Sequence, residues 1–163
     1  DVCSSDLIKK YILAVGPSLG GMRSLEWAVQ HPERVGAICT IGSSAVATGD
    51  QIGSASIQLR AIKKDPNFNN GDYYEKKIGP IEGMGIARRI AHLTYRTELE
   101  MDLRFGRQLQ EDDTGRFAVE SYLDHQANKL ANRFDANTYI VLTESMNSHD
   151  IGRDRGEIGR AHV

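Results

Sequence analysis

IKKYILAVGPSLGGMRSLEWAVQ, residues 8 to 30, changes its hydrophobic period halfway along. Ile8 to Val15 is a short apolar run rich in β-formers that ends at Gly16, which predicts a buried strand. From Gly20 to Gln30 the apolar residues Met22, Leu25, Ala28 and Val29 fall at helical spacing, and His31-Pro32 stops the helix. Val35 to Ile41 (VGAICTI) is a second β-branched run, closed by Gly42-Ser43-Ser44. Strand, tight turn, helix and strand in that order make a βαβ unit, whose crossover implies parallel strands covered by helices.

The turn between the first strand and the helix, Gly16-Pro17-Ser18-Leu19-Gly20-Gly21, satisfies G-x-S-x-G in the setting of a nucleophile elbow. Glycines at either flank of the serine answer to crowding, because side chains there would strike the neighbouring backbone. Such a turn lifts the Ser18 oxygen clear of the sheet at the positive end of a helix. The amide of Leu19 then points where an oxyanion forms during acyl transfer. Gly and Ser are common, and a glycine loop can simply join strand to helix. The strand-turn-helix context favours the nucleophile. Pro17 lacks an amide hydrogen, but the expected donor is Leu19.

Beyond Ala45 the pattern is helical. Asp50 to Lys64, Gly83 to Tyr95, Glu98 to Phe105, Phe117 to Phe134 and Asp135 to Met146 read as helices, with a polar Gly/Asn-rich loop from Asp65 to Tyr74. The whole chain has 163 residues, 40% hydrophobic and 26% charged, with a formal net charge of -2. That balance argues against binding of nucleic acid or anionic membranes through bulk charge. No apolar run approaches the ~18 residues of a membrane helix. Neither cysteine lies in a CxxC or CxxH pair, so no metal site is expected.

A serine nucleophile needs a histidine base oriented by a carboxylate. Downstream, His31 ends the elbow's own helix, and His92 and His125 lie inside helices as structural residues. His149-Asp150 is adjacent in sequence, so its side chains diverge, and it follows no strand end. The expectation is that the base and acid are absent from this chain. Arg88-Arg89 lies in a helix and reads either as a solvated basic face or as a two-pronged grip on a substrate carboxylate.

The ends read differently from the rest. Asp1 to Leu7 can be written as codons whose reverse complement translates as Glu157 to Val163, and the string resembles a short-read sequencing adapter. Residues 1–7 and 157–163 are therefore expected to be adapter-derived tails. They hold one of the 20 basic and three of the 22 acidic residues, leaving 19 of each and Cys39 as the sole cysteine in the 149 residues between. The expected organisation is a partial core over 8–47 and a helical region over 48–156. With two strands surviving, unpaired edges and exposed apolar faces predict poor solubility.

Several separated stretches carry a family resemblance. GPSLGGMRSLEWA (Gly16 to Ala28), Ala47 to Ile62 with its Gly49-Asp50-Gln51-Ile52-Gly53 core, ARRIAHLTYR (Ala87 to Arg96), Phe117 to Phe134 with Ser121-Tyr122-Leu123, and NSHDIGR (Asn147 to Arg153) resemble the homoserine O-acetyltransferases. The resemblance implies an α/β class and a partial α/β-hydrolase fold, with a truncated parallel sheet carrying the nucleophile elbow and an inserted helical lid. It also implies acetyl transfer from acetyl-CoA, a co-substrate with no bound cofactor, to the hydroxyl of L-homoserine in methionine biosynthesis. By resemblance Ser18 is the nucleophile, Leu19 supplies an oxyanion amide, and Arg88 binds substrate. The family's catalytic Asp and His lie beyond His149-Asp150, so the chain alone is expected to be inactive. The full-length enzyme would be a cytoplasmic homodimer. A homoserine or serine O-succinyltransferase and an esterase of the same fold are the alternatives.

Overall fold

The computed structural model describes residues 8–76, 78–111 and 114–155. Both tails read as adapter-derived lie outside the described residues. The chain divides into two compact units, one of residues 8–48 with 145–155 and one of residues 49–144.

In the first unit, β1 (Ala14–Pro17) runs parallel to β2 (Ile38–Ile41), with Ala14 opposite Ile38 and Pro17 opposite Ile41. The crossover is α1 (Leu19–Gln30), followed by a 3-10 turn at Pro32–Arg34. This is the expected βαβ unit, but both strands are shorter than their apolar runs. Tyr11 bonds to Arg34 O and from Gly36 N at 2.8 Å each, and the next bond, Ala14 N to Ala37 O, comes three residues on rather than two. That slip breaks the ladder at Ile12 and Leu13. Ile12, inside the expected strand, is 91% exposed.

The second unit holds α2 (Gly49–Lys64), α3 (Ile81–Thr94), α4 (Glu98–Arg104), α5 (Ala118–Ala131) and most of α6 (Ala136–Asn147). All five match the expected helices to within a few residues. α3 packs between α2 and α5, and the core gathers Leu59, Ile62, Phe68, Met84, Ala87 and Leu130 among others. Polar groups fix the loops onto it. The buried Asp65 carboxylate accepts from Asn67 N and Gly83 N at 2.8 Å each, joining the end of α2 to the start of α3. Tyr73 Oη donates to Asp135 at 2.5 Å and accepts from the amides of Ala136 and Asn137, the open donors of the first turn of α6. Burial, then the Asp135 carboxylate, push this phenol's pKa up to about 12.

The helical region differs from the expected 48–156 at its far end. Residues 145–155 group with the first unit. Ala47 N donates to His149 O at 2.9 Å and Ile151 N to Ala45 O at 3.1 Å, around an antiparallel bridge between Val46 and Asp150. Backbone pairing of this kind leaves no trace in hydrophobic periodicity. Among the described residues no helix is long and apolar enough to cross a membrane.

Candidate active site

Ser18 sits where β1 has ended and α1 has not begun. Its backbone is at φ 50, ψ -124, outside the regions that residues with a Cβ favour. The surroundings hold it there from both sides. Ser18 N donates to Ile41 O at 2.9 Å, while Ser18 O accepts from Gly21 N at 2.9 Å, Met22 N at 3.1 Å and Ser43 Oγ at 2.5 Å. A conformation costing about 1–3 kcal/mol persists only when over-determined in this way, and such strain clusters at functional sites.

Crowding explains two of the three elbow glycines, and not the pair expected. A Cβ on Gly16 would overlap the Gly20 carbonyl and lie 2.7 Å from Gly21 N. One on Gly21 would overlap Ser43 Oγ and lie 2.8 Å from Gly16 O. One on Gly20 would meet only Pro17 Cδ at 3.4 Å, an ordinary contact. The second motif glycine is thus replaceable on steric grounds, and Gly21, just outside the motif, is not. Ser43, read from sequence only as part of a turn, is the residue that closes the elbow.

The Ser18 side chain is exposed, with no hydrogen-bond partner for Oγ among the described residues. Leu19 and Gly20 supply the first amides of α1, which no acceptor within a helix can reach. An oxyanion formed on a carbonyl attacked by Ser18 would find these donors and the positive end of the helix.

The histidines sit in different surroundings, and His125, expected as a structural residue, faces solvent. His31 is exposed at the end of α1, and His125 is exposed on α5. His149 is buried in the first unit, its Nδ1 3.8 Å from Glu26 Oε1 on α1. Glu26 also pairs with Arg155 at 3.2 Å. The Asp150 carboxylate accepts from Gly152 N at 2.9 Å. Residues 149–151 run extended beside 45–47, so successive side chains face opposite ways. Beside α1, His149 and Glu26 help line a cleft of about 610 Å³ with Leu19, Met22 and Trp27. Among the described residues Ser18 has no histidine partner, and His162 lies outside them.

Arg88 and Arg89 part company on α3 in the helical unit. Arg89 Nε and Nη2 both donate to Asp124 Oδ1, at 2.9 and 2.7 Å, and Asp124 is also bonded by Arg116. Arg88 has no carboxylate partner among the described residues. Its guanidinium lies over the Tyr95 ring, 5.9 Å from the centroid, and its Nε is buried without a hydrogen bond. Arg88 is therefore the arginine of the pair with charge to offer a ligand. Its field reaches its neighbours. Burial first, then Arg88 and Arg96, hold the His92 pKa below its ordinary value, and burial with Tyr95 lifts Tyr139 to about 12 against the pull of Arg88. No group of three or more potential metal ligands occurs among the described residues.

Residues 7–147 match the family model of the alpha/beta hydrolase fold. The homoserine O-acetyltransferase of Thermobifida fusca is 53% identical over 159 residues, 94% of this chain and 42% of the relative's length. The chain thus spans about two-fifths of that curated relative. Among solved structures, a homoserine O-acetyltransferase from Bacillus anthracis superposes with a TM-score of 0.78 at 22% identity, over 90% of this chain and 40% of that one. An acetylester hydrolase from Corynebacterium glutamicum superposes at 0.71 with 20% identity, over 94% and 42%. At such identities the two structures speak for the fold alone.

Proposed function

Since the chain belongs to the alpha/beta hydrolase fold family, we propose that it carries the nucleophile elbow and helical insert of a homoserine O-acetyltransferase. The observation that carries this reading is the strained, doubly held Ser18 at the start of α1, in a sequence 53% identical to an enzyme of that name.

On this reading Ser18 Oγ gives its proton to a histidine and attacks the thioester carbonyl of acetyl-CoA. Leu19 N–H holds the oxyanion, the C–S bond breaks, and the CoA sulfur leaves with a proton from the histidine. The hydroxyl of L-homoserine, deprotonated by the same base, then attacks the acetyl-serine, releasing O-acetylhomoserine and restoring Ser18. Arg88 binds the carboxylate of homoserine. The base and its carboxylate partner are assigned to the part of the relatives' length that this chain does not match, which leaves the chain by itself inactive. Acetyl-CoA is a co-substrate and no resident cofactor is used. The complete enzyme is a cytoplasmic homodimer.

The test is a chimera in which residues 8–155 replace the aligned segment of the Thermobifida fusca relative. Mass spectrometry should detect O-acetylhomoserine, and Ser18→Ala should lower the rate by several orders of magnitude. Acetyl-CoA hydrolysis without transfer would favour the esterase alternative, transfer from succinyl-CoA alone the succinyltransferase, and full activity of Ser18→Ala neither.

A further inference from the structure

Two nitrogens in the helical unit are buried without partners among the described residues and stand one turn apart on α3, Arg88 Nε and His92 Nε2. At a spacing of four residues their side chains share a face of the helix. Both rest against Tyr95, the Arg88 guanidinium 5.9 Å and the His92 ring 5.7 Å from its centroid. Buried polar groups are nearly always satisfied, and two orphans side by side point to a ligand that answers them. The nearby carboxylates are already taken. Asp124 is bonded by Arg89 and Arg116, and Glu100 by Arg96.

The contacts of Tyr122 on α5 bear on which His92 nitrogen carries the proton. Arg96 Nε donates to Tyr122 Oη at 3.3 Å, which leaves the phenol's own proton free to be given to His92 Nδ1, 2.9 Å away. With Nδ1 accepting, a neutral ring bears its hydrogen on Nε2. Neutrality follows from the surroundings, since His92 is 8% exposed and faces Arg88 and Arg96.

We propose that His92 Nε2–H is a second donor to the ligand carboxylate beside Arg88, with Tyr122 holding the ring in the tautomer that donates. The proposal rests on the reading of Arg88 given above. A carboxylate has lone pairs enough for both donors, and Arg88 alone supplies the charge.

Two measurements test it. In the full chain, long-range ¹H–¹⁵N spectra at neutral pH should show His92 as the Nε2–H tautomer, moving toward the Nδ1–H form in Tyr122→Phe. A wild-type ring protonated on Nδ1 would overturn the proposal even where variants fold poorly. In the chimeric enzyme, His92→Asn keeps an acceptor near Tyr122 and removes the Nε2 donor, whereas His92→Gln places an amide donor near Nε2. His92→Asn should raise KM for L-homoserine about tenfold, as loss of one hydrogen bond to a charged group does, with partial rescue by His92→Gln. Neither variant should alter KM for 3-aminopropan-1-ol, which lacks the carboxylate. If Arg88→Lys raises KM for L-homoserine and His92→Asn does not, the role of His92 falls while that of Arg88 stands. Should Arg88→Lys also leave KM unchanged, both fall.

Discussion

Replacing Gly21 by alanine should unfold the elbow's unit at much lower denaturant, while the same change at Gly20 should not. A Cβ on Gly21 overlaps Ser43 Oγ and stands 2.8 Å from both Ser43 Cβ and Gly16 O. Ser43 can swing away only by giving up its bond to Ser18 O, at a net cost of about 1 kcal/mol. Gly16 O belongs to β1 and cannot follow without disturbing the strand. Overpacking of this kind costs about 1–3 kcal/mol, so the total is roughly 2–4 kcal/mol. A Cβ on Gly20 meets nothing closer than 3.4 Å, and Gly to Ala within a helix stabilises by up to ~1 kcal/mol. Trp27 on α1 is the only tryptophan, so its emission in a urea titration reports the first unit. Far-UV circular dichroism is dominated by the helices of the second. With a urea slope of about 2 kcal/mol/M, the middle of the usual range, Gly21→Ala should lower the Trp27 midpoint by roughly 1–2 M and leave the dichroism transition in place. Gly20→Ala should match or exceed the parent. Equal losses for the two variants, or none for Gly21→Ala, would refute the steric account of the elbow.

Tyr73→Phe should lower the urea midpoint read by circular dichroism, because the amides of Ala136 and Asn137 lose their acceptor, at about 1–3 kcal/mol for a buried group left unpaired; an unchanged midpoint would show that these bonds do not stabilise α6. Bonds from Arg89 and then Arg116 hold the Asp124 carboxyl below the usual carboxylate range, against a smaller opposing effect of burial. Its folded pKa therefore lies below the unfolded value of about 3.9, so its contribution is complete above that value and is lost as pH falls through the folded one. Midpoints measured between pH 5 and pH 3 should fall less steeply in Asp124→Asn than in the parent, and identical slopes would contradict this.

The βαβ unit, the elbow and all five later helices were legible in the sequence because their signals are local. Met22, Leu25, Ala28 and Val29 mark a helix face without help from elsewhere in the chain, and Pro32 marks its end. The strand ends were not legible. Ile12 and Leu13 are as apolar as their neighbours, and only the slip in hydrogen bonding against Gly36 and Ala37 removes them from β1. Gly20 and Gly21 look alike in a motif, and what separates them is Ser43, which comes from the far end of β2. Arg88 and Arg89 also look alike, until Asp124 on α5 claims one and leaves the other. His92 read as a structural residue, and its four-residue spacing from Arg88 was the available hint of more.

The bonds that tie Ala45 and Ala47 to Ile151 and His149 give the chain a modular joint. The segment leaving the first unit and the segment returning to it are clamped to each other by their backbones, so whatever is threaded between them begins and ends at one fixed gate. Closing a longer excursion through such a gate is cheap, since each doubling of its length adds only about 0.6 kcal/mol of entropy. Helices can therefore be lengthened, exchanged or shuffled between residues 49 and 144 with the gate still set by main-chain pairing. The sequence between can change while the backbone of the serine turn stays as it is.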